Sequence, residues 1–104
     1  MMKFEVGKLY VIYEQFYWLI FPTKELAEKS LASPEENSAE AAIEAEYLGS
    51  KLNCNISLIF PEDIFCCIEQ DNSLIKILPT HGNLGWIRYP TPHNAWKNSI
   101  KEVK

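Results

Sequence analysis

The sequence predicts an α+β fold, a small antiparallel barrel or strongly bent sheet with a helical insertion between its early strands. Three observations carry that expectation. Six short runs rich in apolar, β-branched and aromatic residues are separated by turn-forming residues. One segment, between Ser33 and Leu52, combines a helix-start signal with an apolar stripe at helical spacing. Finally, too few helix-length connections lie between successive strand candidates to build a parallel three-layer sheet. With 104 residues the chain has the length of one domain, so 1–104 is expected to share one core. An apolar fraction of 47% against 23% charged residues supplies that core and excludes wholesale disorder.

The first two strand candidates are Leu9 to Tyr13 and Phe16 to Phe21, parted only by Glu14-Gln15, which lacks the Asn/Gly chemistry of a tight hairpin. Pro22 ends the second, and Thr23 is placed to cap a helical stretch containing Leu26, Ala27, Ser30 and Leu31. The helical insertion is expected over about residues 23–51. Within it, Ser33-Pro34-Glu35-Glu36 reads as N-cap, N1 and capping-box acid, while Asn37 with Glu40 three residues later is a competing start. Ala41, Ala45, Leu48 and Leu52 form the buried stripe, and Gly49 is a candidate left-handed terminator. Four strands should follow: Cys54 to Phe60, Ile64 to Glu69, Leu74 to Leu78 and Gly85 to Tyr89. Leu48, Ile56, Leu58, Phe60, Ile64, Ile77 and Ile87 are the expected core, and residues 95–104 a loose tail or a short helical turn.

Leu74-Ile75-Lys76-Ile77-Leu78, then a polar turn, then Asn83-Leu84-Gly85-Trp86-Ile87, resembles the distal-hairpin region of SH3-like small β-barrels. Gly7-Lys8-Leu9-Tyr10-Val11-Ile12 is similar to the first strand of such barrels. The resemblance implies a small barrel. It does not imply binding of proline-rich peptides, because the ligand groove of that family needs an acidic loop where this chain has its helical insertion. The family's closing Pro-x-x-Tyr is also absent, Tyr89 preceding Pro90.

The net charge of −4 is unevenly spread. Residues 23–51 carry three lysines against seven glutamates, and 52–71 carry four acids and no base. Residues 72–104 carry Lys76, Arg88, Lys97, Lys101 and Lys104 against Glu102. Five cations over that length are a thin footprint for nucleic acid and serve equally to complement the acidic helical segment. The three cysteines, an odd number that includes the adjacent Cys66 and Cys67, do not read as a disulfide framework, so the reducing cytoplasm is the expected compartment. The longest uninterrupted apolar run near the start, Phe16 to Phe21, is far shorter than the roughly 20 residues of a membrane helix, and no membrane association is expected.

No catalytic, metal-binding or cofactor-binding residue is assigned. Cys66 and Cys67 should project to opposite faces of a strand, and His81 and His93 lie at no zinc spacing. Glu62-Asp63 sits in a turn and Glu69 and Asp71 frame the next one, positions where carboxylates are solvated, and Gly82 and Gly85 precede no helix start. The informative feature is aromatic excess: Tyr10, Tyr13, Phe16, Tyr17, Trp18, Trp86, Tyr89 and Trp96. Because Phe16-Tyr17-Trp18 cannot all face one core, some rings must meet the inserted helix or a partner. The expected function is a noncatalytic protein-interaction or structural module, open to self-association, with Tyr17, Trp86, Arg88 and Tyr89 as the candidate interaction residues. The alternative is a nucleic-acid-associated barrel that uses the aromatics and the basic C-terminal segment.

Overall fold

The computed structural model describes residues 4–12, 17–30, 37–88 and 100–103. Along them run β1 (Leu9–Ile12), β2 (Trp18–Ile20), α1 (Lys24–Ser30), α2 (Ser38–Leu52), β3 (Ser57–Ile59), β4 (Ile64–Asp71), β5 (Leu74–Pro79), β6 (Gly85–Arg88) and β7 (Ile100–Glu102). The fold is α+β. A five-stranded antiparallel sheet has the order β6-β5-β4-β1-β7, and β2 pairs antiparallel with β3 in a second sheet.

The two sheets are tied together at one place. Phe21, just past β2, exchanges two backbone hydrogen bonds of 2.8 Å with Trp86 of β6. Such a close approach needs a bare Cα beside it. A Cβ on Gly85 would lie 2.9 Å from the Phe21 carbonyl oxygen and would collide with Ile20. The strands thus curl continuously from β7 through β6 to β3. They do not close into a barrel, since no pairing among the described residues joins β3 back to β7.

The curl explains why all three residues of β2 are buried. Trp18 and Ile20 point inward, where they join Tyr10, Ile12, Phe65, Ile75, Ile77, Ile87 and Ile59. Leu19, with Phe21 beyond the strand, points outward and packs with Ala27 of α1, Ala45 and Leu48 of α2, Leu74 and Trp86. The β2–β3 sheet therefore stands between two cores. Phe4 closes the inner one, its ring 4.9 Å from that of Tyr10 in an edge-on arrangement, and Tyr10 stacks on Phe65 at 5.8 Å. The Tyr10 hydroxyl accepts a 2.7 Å hydrogen bond from the Glu5 backbone N–H, so the buried phenol is paired.

Both helices lie in the expected insertion. Thr23 caps α1, its hydroxyl accepting from the Leu26 N–H at 3.2 Å. Of the two competing starts for α2, Asn37 is the cap: its side-chain oxygen accepts from Ala39 and Glu40. Ser33–Glu36 lies outside the described residues. Gly49 does not end the helix. The chain turns left-handed at Asn53, φ 53°, and Gly49 sits one turn earlier, where a Cβ would meet the Cys54 carbonyl oxygen at 2.9 Å. A residue that looked like a terminator is instead a seat for the returning chain.

Several strand assignments are also corrected. Phe60 is 49% exposed, and Ile59 takes the core position instead. On β4 the inward face is Phe65 and Cys67, which leaves Ile64 half-buried on the other side. A bulge then skips Ile68, so that Cys67 faces Ile77 and Glu69 faces Lys76. The expected loose tail contains β7, which pairs with β1 in the register Val11 to Lys101 and buries Ile100; residues 95–99 lie outside the described residues. β1 does not pair with β2: β4 and β7 flank it on its two sides.

Gly85→Ala is expected to lower the unfolding free energy by about 2–3 kcal/mol through overpacking at the junction. Ile77→Ala should cost about 2–5 kcal/mol, whereas Phe60→Ala at the surface should cost less than about 1 kcal/mol. Urea melts measure all three, and equal losses for Ile77→Ala and Phe60→Ala would contradict the burial assigned to them.

Candidate interaction surfaces

Three of the four sequence-predicted interaction residues fall on described backbone: Trp86 and Arg88 share the outer face of β6 beside Lys24, while Tyr17 stands apart from them. Trp86 is buried in the outer core beneath α1. Lys24 of α1 reaches over its ring, 6.0 Å from the centroid, and pairs with Asp71, the last residue of β4. That hydrogen bond with Asp71 holds the Lys24 ammonium above its ordinary pKa. Arg88 is half-buried at the end of β6 and lines a polar cleft of about 350 Å³ with Lys24, Glu28, Asp71 and Ser73. Tyr17 lies elsewhere, its ring edge-on to Phe60 at 5.8 Å. Tyr89 is outside the described residues.

Tyr17 and Phe60 border a feature that sequence reasoning missed. A groove of about 540 Å³ runs between one flank of α2 and β3, lined by Ala42, Ala45 and Gly49 on the helix and by Ile56, Leu58 and Phe60 beside it. Small residues on α2 keep it open. Positions 42, 46, 49 and 50 recur at helical spacing, so Glu46 and Ser50 share this flank and edge the groove with polar groups. Glu46 is the one charged residue among the described residues that line it. Among the described residues, β3 pairs only with β2, and none of them pairs with its other edge. Beyond β3, the Phe60 N–H donates to the Asp63 carboxylate at 2.9 Å and the Glu62 N–H to Ile12 O at 2.8 Å, which anchors the rim to β1.

The outer face of the five-stranded sheet is a second surface. Register places Leu9 opposite Cys66 and Cys66 opposite Leu78, and the Val103 N–H bonds Leu9 O at 2.8 Å, so these four residues form one cross-strand row. Leu9, Leu78 and Val103 are exposed, while Cys66 is half-buried. Val11 and Ile64 follow in the next row. The same face carries Leu74 and Trp86 at the β5–β6 end, where α1 covers it.

Among the described residues, the cations of the chain's last third are dispersed by this topology. Arg88 stands on one edge strand and Lys101 on the other, with three strands between. No group of three His, Cys, Asp or Glu among the described residues is placed to hold a metal ion. Cys67 is fully buried, and burial, with Cys66 beside it, pushes its thiol pKa up. It is therefore a protonated core thiol at neutral pH rather than a nucleophile. No helix of the described residues is long and apolar enough to cross a membrane. Comparison with known proteins finds no match to this chain in any protein family, curated protein or solved structure.

In the native protein Cys54 and Cys66 should react with a maleimide while Cys67 reacts only on unfolding, as mass spectrometry of the labelled chain will report. Burial also raises the pKa of Tyr10. Both groups hold their proton more tightly when folded, so the stability they provide is complete at neutral pH. It declines as pH rises past the ordinary thiol and phenol values of 9.0 and 10.0. Urea midpoints should fall above about pH 9, and a folded Cys67→Ala variant should show a shallower first part of that fall. A midpoint that rises with alkaline pH would refute the assignment.

Proposed function

We propose that this chain is a noncatalytic protein-interaction module that takes an extended segment of a partner protein along the open edge of β3, in the groove beside α2. The observation that carries the reading is the conjunction of that edge with the apolar groove. An open strand edge presents backbone N–H and C=O groups whose natural complement is another strand, and the side chains of an added strand alternate between groove and solvent. The small flank of α2 leaves room for those pointing inward. Glu46, the charged residue among the described lining, favours a partner segment with a Lys or Arg among its apolar residues. Phe60 with Tyr17 edge-on behind it supplies the ring surface at one end. Of the sequence-predicted residues the reading thus retains Tyr17; Trp86 acts from below, as packing for α1. We read the curl as an opened small barrel of the SH3-like kind, with the insertion contributing a groove wall, in a protein whose three free cysteines suit a reducing compartment.

Selection from a random peptide library displays the preference directly. The wild-type protein is expected to enrich peptides that alternate apolar residues and contain a Lys or Arg. Glu46→Lys should remove the basic preference and Phe60→Ala should weaken binding of the selected peptides at least tenfold, with circular dichroism unchanged for both. Amide shifts in NMR titrations should concentrate on residues 55–60 and the 42–50 flank. Selected peptides whose binding ignores both substitutions, or no enrichment at all, would reject the reading.

A further inference from the structure

We propose that the uncovered half of the outer sheet face is a self-association surface, occupied by the same face of a second copy of this chain; this proposal is independent of the β3 groove. The sheet itself shows how this face behaves when covered. At the β5–β6 end, Leu74 and Trp86 lie under α1 and are buried, at 7% and 8% exposure. Past β5 the same face continues across β4, β1 and β7 with no described element over it. There Leu9 and Leu78 remain 46% exposed in an uncharged row completed by Cys66 and Val103. A contiguous apolar row across four strands is an interaction surface rather than scattered exposure.

The choice of a second copy follows from the register. A twofold axis running along the strands between β1 and β4 lays one row on the other in reverse order. Val103 then faces the second copy's Leu78, and Leu9 faces its Cys66. In the neighbouring row Val11 faces Ile64, and Lys101 faces Thr80, because Thr80 bonds Ile64 O across from it. Apolar groups meet apolar groups, and the one cation in the two rows meets a hydroxyl rather than another cation. Glu69 and Lys76, opposite in charge, stand across from each other in the register of β4 and β5 at the periphery of the same face. Two antiparallel sheets pack in this manner about 10 Å apart. Specific interfaces bury roughly 1,200–2,000 Å² in total, so the two rows would act together with the residues around them, Glu69 and Lys76 included. Bulky α1 on β5–β6 limits how far the copies slide, so the match centres on β4, β1 and β7.

Sedimentation equilibrium from about 1 to 500 µM tests the proposal on the full chain. The wild-type mass should pass from one chain to two within that range, and the Leu9→Lys/Leu78→Lys variant should weaken dimerisation at least tenfold with an unchanged circular-dichroism spectrum. Should that double variant fail to fold, Val103→Glu at the end of the row replaces it. A second readout needs no variant: the rate of maleimide labelling at Cys66 should fall as protein concentration rises, while that at Cys54 stays constant. A wild-type protein that remains monomeric at 500 µM overturns the proposal. So does a dimer that the substitutions leave intact and in which Cys66 labels at a concentration-independent rate. Binding of selected peptides by the monomeric variant would show that the groove acts separately.

Discussion

At the junction of the two sheets, the backbone of Phe21 and that of Trp86 approach closely enough to exchange two hydrogen bonds, and Gly85 makes the approach sterically feasible. Without that tie β2 and β3 would be a lone two-stranded ribbon, which is marginal in water. With it, the ribbon is swung over the concave side of the larger sheet and becomes the lid of the inner core. The same swing gives the ribbon an outer side, and that side is what the helices cover. The insertion is thus accommodated by a second layer of burial on β2, and the groove beside α2 exists because the ribbon that α2 rests on ends at β3.

Among the described residues, the aromatic surplus is divided between these two layers. Phe4, Tyr10, Trp18 and Phe65 belong to the inner core, while Phe21 and Trp86 belong to the outer one. Rings that a single small core would have had to display are divided between two. What reaches the surface is different: Phe60 with Tyr17 at the groove, Tyr47 on α2, and an aliphatic row on the sheet.

Much of the secondary structure was legible because it is written locally. Strand runs, the Thr23 and Asn37 caps and the stripe Ala41, Ala45, Leu48 each follow from residue type and spacing. What escaped depends on distant neighbours. Gly49 carries the composition of a helix end, but its reason is the Cys54 carbonyl. Phe60 alternates correctly with Leu58, yet Ile59 is buried because the ribbon has cores on both sides and alternation no longer separates inside from outside. The bulge at Ile68 leaves no mark in an apolar run. Ile100-Lys101-Glu102 is too short and polar to announce itself as a strand and is recruited by the exposed edge of β1. The site was less legible still, since a groove formed by a helix flank and an open edge is a property of topology. Alanines and a glycine on one flank of α2 were its single trace in sequence.

The position of β1 in the sheet order bears on how the molecule assembles. Its two neighbours come from residues 64–66 and 100–102, so neither side of this strand is completed by a local hairpin. β4, β5 and β6, by contrast, form a meander through short turns and are able to pair early. Chains dominated by such remote pairings have high contact order and fold slowly, because loop entropy is lost before the contacts that repay it are formed. An early meander would present the unsatisfied edge of β4 until β1 arrives. During that interval the most adhesive part of the protein is a bare strand rather than either surface of the finished fold, and crowding by other unfolded chains is the hazard it must outrun.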